Sequence, residues 1–499
     1  MKINKDRFKN YDEEVKHLVL EFEKMEKSGE RRYFDLDEME RIIDFYMDGF
    51  QDYGTDNSSV GTQSITMEMM EKSVLHGEWL FPASNEIRLR RAHLLCFKER
   101  FEESYAILKE LESRQPDDTD VLYALGVVLS ALEQPRRAIQ YYNRAASRLA
   151  EGERWDGDSH DKGKWERDEI GMIYANIADE YVKMDKRKEA RNFYRKALRL
   201  RPDDEHSLYE LANCYEDDGL IDKWIGYYNK FVEEHPYSKV GWFCLAEGYA
   251  STALYERAID AYGYAIAIDS NFYYAYMQMS ACYEALGNMN MAVETLHDAA
   301  EHTDDKALVY FRIGDLFRLQ NNMASAVNYY QKATKEDPFY ADAWHALSTC
   351  YTMSLEFGDG IDCAKKALSI EPESPLYLTT LALIYADSGD YENAEKTFEH
   401  AIPYYDDFEQ GWLAYADYHI MRGNYEEAIN GLNRGLVGCE LVMEYNKRLA
   451  LCYYMTGRRN MLFNAVRACI FDNEDGANEL LNYVPELRDD DEVMMIINS

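Results

Sequence analysis

Four tripeptides in this chain end in Cys-Tyr, completed by Cys214-Tyr215, Cys282-Tyr283, Cys350-Tyr351 and Cys452-Tyr453. Recurring cysteines invite two chemistries, thiol–disulfide exchange and a thiolate metal site. Their spacing serves neither. The gaps are 68, 68 and 102 residues, all multiples of 34, and the nine cysteines include no C-x-x-C pair. His297 and His302 lie close in sequence but straddle an expected turn and have no cysteine beside them. Asp156, Asp158, His160 and Asp161 resemble the start of a calcium loop, yet the closing glutamate is missing at its required place. No P-loop, G-x-G-x-x-G, H-E-x-x-H or G-x-S-x-G occurs. Catalysis needs groups that converge on a pocket, and these residues do not supply them. No enzyme activity, cofactor or metal is expected.

The period of 34 governs more than cysteine. Gly219, Gly287, Gly389, Gly423 and Gly457 keep it, as do the pairs Pro202/Pro236 and Pro338/Pro372. Tyr194, Tyr228, Tyr262 and Tyr330 form another series. With Gly171 as position 1, nine units follow without insertion or loss, and two more start at Asn85 and Thr119. Positions 4, 7, 8 and 11 share one helical face, and positions 20, 24 and 27 share a face of a second helix. Glycine at position 15 suits a left-handed helix end, and proline at position 32 stops the second helix. Each hairpin alone leaves apolar surface that the next one buries.

On these residues the chain resembles the tetratricopeptide repeat family. The unit from Glu205 supplies Leu208, Leu211, Ala212, Tyr215, Gly219, Tyr228 and Pro236. The unit from Pro375 supplies Leu378, Leu381, Ala382, Tyr385, Gly389, Ala394, Phe398 and Ala401. Departures are local: Trp224 and Gly360 replace the alanine of position 20, and His419 replaces the tyrosine of position 11. The resemblance covers about residues 85–470 and implies an all-α fold. That fold is a right-handed α-solenoid superhelix of about eleven antiparallel helix hairpins. The Cys-Tyr cysteines then sit at position 10. Equivalent helices lie about 10 Å apart in neighbouring repeats, far beyond the roughly 4.4–6.8 Å that a disulfide spans between Cα atoms. They are expected to be small buried fillers.

The frame divides the chain. Residues 1–84 read as an N-terminal cap and a degenerate repeat, with Tyr11, Val15, Leu18, Phe22 and Met25 on a capping helix and "DYGTDNSSVGTQS" as an enlarged turn. Residues 85–148 hold two units. Residues 149–170 are a charged insertion, expected as an extended loop, with Trp155 and Trp165 as weak candidates for loop contacts. Nine contiguous units fill 171–470. Residues 471–499 form an acidic cap and tail whose last segment, "RDDDEVMMIINS", is expected to fray.

With 55 basic and 92 acidic residues the net charge is −37. Such a chain repels nucleic-acid phosphates and anionic lipid surfaces, so no nucleic acid and no membrane partner is expected. No apolar leader or membrane-length apolar run is visible, and the thiols fit a reducing compartment, so a cytoplasmic location is expected. The resemblance implies a non-catalytic scaffold that binds a protein or peptide in its concave groove. The groove candidates are Tyr209, Phe243, Met277 and Phe311 at position 5, with Asp179, Asn213, Glu247 and Asp315 at position 9. Such an aromatic row edged by carboxylates suits a segment with basic and apolar side chains. Alternatively, the position-5 aromatics pack between repeats, or the chain is a structural subunit assembling through its edges and loops. Two family subtypes fit poorly. Acidic position 9 would repel the C-terminal carboxylate that co-chaperone members clamp, and the asparagine ladder of glycosyltransferase arms stops after Asn176.

Overall fold

The computed structural model describes residues 13–29, 31–53, 60–152, 160–405, 408–436, 440–471 and 475–497. Among these residues the fold is all-α, with no strand. The chain forms two compact units, Met1–Ile268 and Asp269–Ser499. Each is a stack of antiparallel helix hairpins, as the 34-residue period predicts.

The repeat from Glu205 shows how the sequence makes a hairpin. The Asp204 carboxylate accepts the Ser207 N–H and caps the helix Glu205–Glu216, satisfying one of its orphan donors. Leu208, Leu211 and Tyr215 then fall on one face and are fully buried. Gly219 turns the chain with φ +62°, and the helix Ile221–Glu234 returns. Tyr228 closes the hairpin from that helix and is fully buried. Burying an aromatic of this size contributes about 2–3 kcal/mol. Trp224 replaces the usual alanine, and its indole N–H reaches the Cys244 carbonyl of the next repeat at 2.8 Å.

The turn geometry fixes the repeat frame. Position 15 has positive φ in all eleven repeats, from Glu99, Glu133 and Asp185 through Gly219 to Gly457. Only five of them are glycine; Ala253, Asn321 and Leu355 adopt φ of 58°, 59° and 62° without that freedom. The turn is imposed by the docking of the two helices, not by the local residue alone.

In the first unit, Val19, Phe22, Met39, Ile43, Met70 and Val74 form the core of a cap ahead of Asn85. Tyr11, assigned to the capping helix, lies outside the described residues. Two expected loops are helical over their described residues. The helix Val60–Leu80 takes up the end of the Gly/Ser-rich segment. The insertion extends its neighbours into helices Pro135–Gly152 and His160–Lys183. Residues 160–170 are rich in Lys, Glu and Arg, which favour helix, and Ile170 is buried at their end. Trp155 lies outside the described residues, while the backbone of Trp165 is helical.

In the second unit the acidic C-terminal segment caps the last hairpin. Leu480, Val484, Leu487 and Val493 are fully buried. Arg459 holds Asp490 and Glu492. Thus "RDDDEVMMIINS" does not fray over its described part: an apolar seam through Leu487 and Val493 outweighs its crowded carboxylates.

Candidate functional site

Positions 5 and 9 of the first helices lie on one face in both units. In Met1–Ile268 the side chains of Tyr209, Phe243, Asp179 and Glu247 are half-buried and Asn213 is exposed. Tyr209 meets Phe243 of the next repeat edge-on, with ring centroids 5.9 Å apart. Phe243 in turn rests on Tyr262 at 5.6 Å. These aromatics therefore pack between repeats while staying only half-buried.

The carboxylates are held from behind. Tyr194 donates its hydroxyl to Asp179 Oδ1 at 2.6 Å, and Tyr262 donates to Glu247 Oε1. Position 24 thus bonds position 9 of its own hairpin. Where position 9 is Asn213, the Tyr228 hydroxyl turns to the Leu208 carbonyl instead. Burial raises the Glu247 pKa. His206 Nε2 lies 3.0 Å from Asp179 Oδ1, and that hydrogen bond raises the imidazole pKa. Among the described residues no lysine or arginine forms an ion pair with Asp179, Glu210 or Glu247. The face therefore offers aromatic side chains and carboxylates that, among the described residues, have no lysine or arginine ion-paired to them.

The second unit differs, although the same positions were expected to act alike. Phe311 sits between Tyr330 at 5.6 Å and Tyr340 at 5.1 Å. Burial pushes the Tyr340 phenol up to about 12. Asp315 accepts the Tyr330 hydroxyl at 2.7 Å and is paired with Arg312 at 3.5 Å and Arg318 at 3.6 Å. Its charge is neutralised locally. Met277 is half-buried. His345 bonds Thr380 Oγ1 at 2.9 Å.

Cys214, Cys282, Cys350 and Cys452 are buried and none of them is in a disulfide. Burial raises the Cys214 thiol to about 11 and that of Cys452 to about 12. Among the described residues no group of three metal-ligating side chains gathers, and no helix is long and apolar enough to cross a membrane.

Family models of the tetratricopeptide repeat match residues 119–148, 173–204, 307–340 and 379–439. These stretches fall on hairpins whose position-15 residues share the left-handed turn. The chain is a tetratricopeptide repeat protein. It is similar to the TPR repeat-containing protein YpiA of Bacillus subtilis (strain 168), with 25% identity over 230 residues, 45% of this chain and 53% of that protein. It is also similar to the TPR repeat-containing protein MJ1428 of Methanocaldococcus jannaschii, with 30% identity over 125 residues, 25% of this chain and 22% of that protein. The matches thus span about half of one tetratricopeptide relative and under a quarter of the other. Among solved structures, the APC/C hetero-tetramer Cut9-Hcn1 aligns over 88% of this chain and 93% of that one, with 14% identity and a TM-score of 0.36.

The tetratricopeptide repeats account for most of what the sequence singles out. What sequence reading missed is the tie between positions 9 and 24, and His206 at the rim. Their signal is an offset of 15 residues between the acidic and tyrosine series, as in Asp179/Tyr194, Glu247/Tyr262 and Asp315/Tyr330.

Proposed function

We propose that this tetratricopeptide repeat protein is a non-catalytic scaffold that holds a basic, partly apolar segment of a partner protein. The segment lies on the first-helix face of the first unit, over Tyr209 and Phe243. Repeat and family support an interaction role in general. The observation that carries the finer reading is the set of carboxylates around this aromatic pair, Asp179, Glu210 and Glu247, with no lysine or arginine ion-paired to them among the described residues. Carboxylates without a lysine or arginine partner attract a cation through charge, and half-buried aromatic rings beside them add the attraction of their faces. Met277, Phe311 and Asp315 belong to the same repeat positions, but Asp315 already has its arginines. The first unit is therefore the better basic-segment site.

Affinity capture from native lysate tests this. The parent is compared with Tyr209→Ala/Phe243→Ala and with the charge-only variant Glu210→Gln/Glu247→Gln, after circular dichroism shows equal helicity. A partner lost by both variants supports the reading. A partner kept by both moves binding to the loops or ends. A mass that rises with concentration in the purified protein favours self-assembly instead.

A further inference from the structure

Position 13 is the last residue of the first helix in five consecutive repeats of the second unit. It is occupied by Leu319, Met353, Asp387, Met421 and Met455. The four apolar side chains are 56%, 59%, 59% and 51% exposed, so the core does not require them to be apolar. In the first unit the same position holds Phe97, Ala131, Lys183, Asp217 and Ser251, without such a row. Isolated exposed leucines need no explanation. A line of leucine and methionine kept in the 34-residue register does, and methionine adapts its shape to a partner surface.

Pitch and charge select what covers it. Equivalent helices of successive repeats lie about 10 Å apart. Residues seven apart on an α-helix rise about 10.5 Å, so a helix running along the line meets each repeat with the same face. An extended chain returns a side chain to the same face about every 6.6 Å and loses register within one repeat. Asp387 interrupts the line; it is exposed and makes no ion pair among the described residues. Residues 269–499 carry 38 acidic and 16 basic side chains, so the surrounding field also favours a cationic occupant.

We propose that the line through Leu319, Met353, Asp387, Met421 and Met455 docks an amphipathic, basic helix of a partner protein. That helix carries apolar residues at seven-residue spacing, and a lysine or arginine takes the place opposite Asp387. The proposal rests on the scaffold reading above but uses a different surface, in the other unit.

The probe is a labelled synthetic helix with leucine at every seventh residue and one lysine in the middle of the row, read by fluorescence anisotropy against the full chain. Its expected affinity is about tenfold or more above that of a scrambled peptide of the same composition, a gap of about 1.4 kcal/mol. Met353→Asp/Met421→Asp removes that advantage while leaving helicity and Tm unchanged, because both side chains project into solvent. Asp387→Lys reverses the preference, favouring a peptide with glutamate in place of the central lysine. Tyr209→Ala/Phe243→Ala leaves the affinity as in the parent. Equal binding of patterned and scrambled peptides overturns the proposal, as does full affinity in the double-aspartate variant or loss in the Tyr209/Phe243 variant. A concentration-dependent mass of the protein alone, abolished by Met353→Asp/Met421→Asp, would assign the strip to a second copy and also overturn it. If the peptide fails while the captured partner still depends on Tyr209 and Phe243, the strip falls and the scaffold reading stands.

Discussion

Tyr330 has no exposed surface, and its hydroxyl donates to Asp315 across the hairpin at 2.7 Å. A hydrogen bond to a charged acceptor contributes about 1.5–3 kcal/mol. Tyr330→Phe is therefore expected to lower stability by about that amount, measured as a shift of the urea midpoint. His419 makes the opposite kind of statement. It occupies the tyrosine position, is 1% exposed, and neither ring nitrogen has a hydrogen-bond partner. The nearest carboxylate, Glu395, is 3.7 Å from Nε2. Burial lowers its pKa, while Glu395 and Glu427 oppose the shift. The unfolded chain takes up this proton near pH 6.5, so the contribution is complete above that pH and is lost as pH falls below it. Between pH 7 and pH 5 the Tm of the parent should fall relative to that of His419→Tyr. An equal change in both would remove His419 from the account. The acidic series and the tyrosine series are each legible in the sequence. Their meeting is not, because the direction of a phenol depends on how two helices dock.

At the scale of the element, a helix end is decided by its neighbours as well as by its residue. Glycine at five position-15 sites makes the turn readable. At Ala253 and Leu355 the turn has no local signal, yet φ is 58° and 62°. A non-glycine residue held there costs about 1–2 kcal/mol. Ala253 is exposed, so Ala253→Gly is expected to raise stability by up to about 1 kcal/mol once the added freedom of the unfolded chain is deducted. The same exchange at Ala106, exposed inside the helix Phe101–Arg114, is expected to cost about 1 kcal/mol. Urea midpoints moving in opposite directions would confirm that position 15 carries strain; two losses would refute it. Element boundaries outside the repeat were less legible. Charged, glycine-containing text such as that of 149–170 reads as loop, although Lys, Glu and Arg extend helices once a core residue such as Ile170 anchors the end. The C-terminal acids misled in the same way, because Leu487 and Val493 are sparse in sequence but fully buried in space.

Across the whole molecule the net charge of −37 sets the working conditions. Self-repulsion destabilises a compact chain, and at 0.1 M salt charges are screened beyond about 10 Å. Tm is expected to rise as sodium chloride increases from low concentration, and binding of a basic segment to weaken over the same range. Seven of the eight described cysteines are buried, so those seven thiols are expected to resist a thiol reagent at neutral pH until denaturant is added. The repeat architecture was legible because a 34-residue period imposes itself on every unit. The difference between the two first-helix faces stood in the sequence as well, although the repeat frame hides it: Arg312 and Arg318 flank Asp315 one turn away on its own helix, while no lysine or arginine stands within four residues of Glu247. The most direct test of the central claim is a hydrogen-exchange footprint of the captured partner on the full chain. Protection concentrated in Glu205–Glu216 and Lys239–Ala250 is the expected result. Protection confined to the second helices or to the chain ends, with those two helices unchanged, would contradict it.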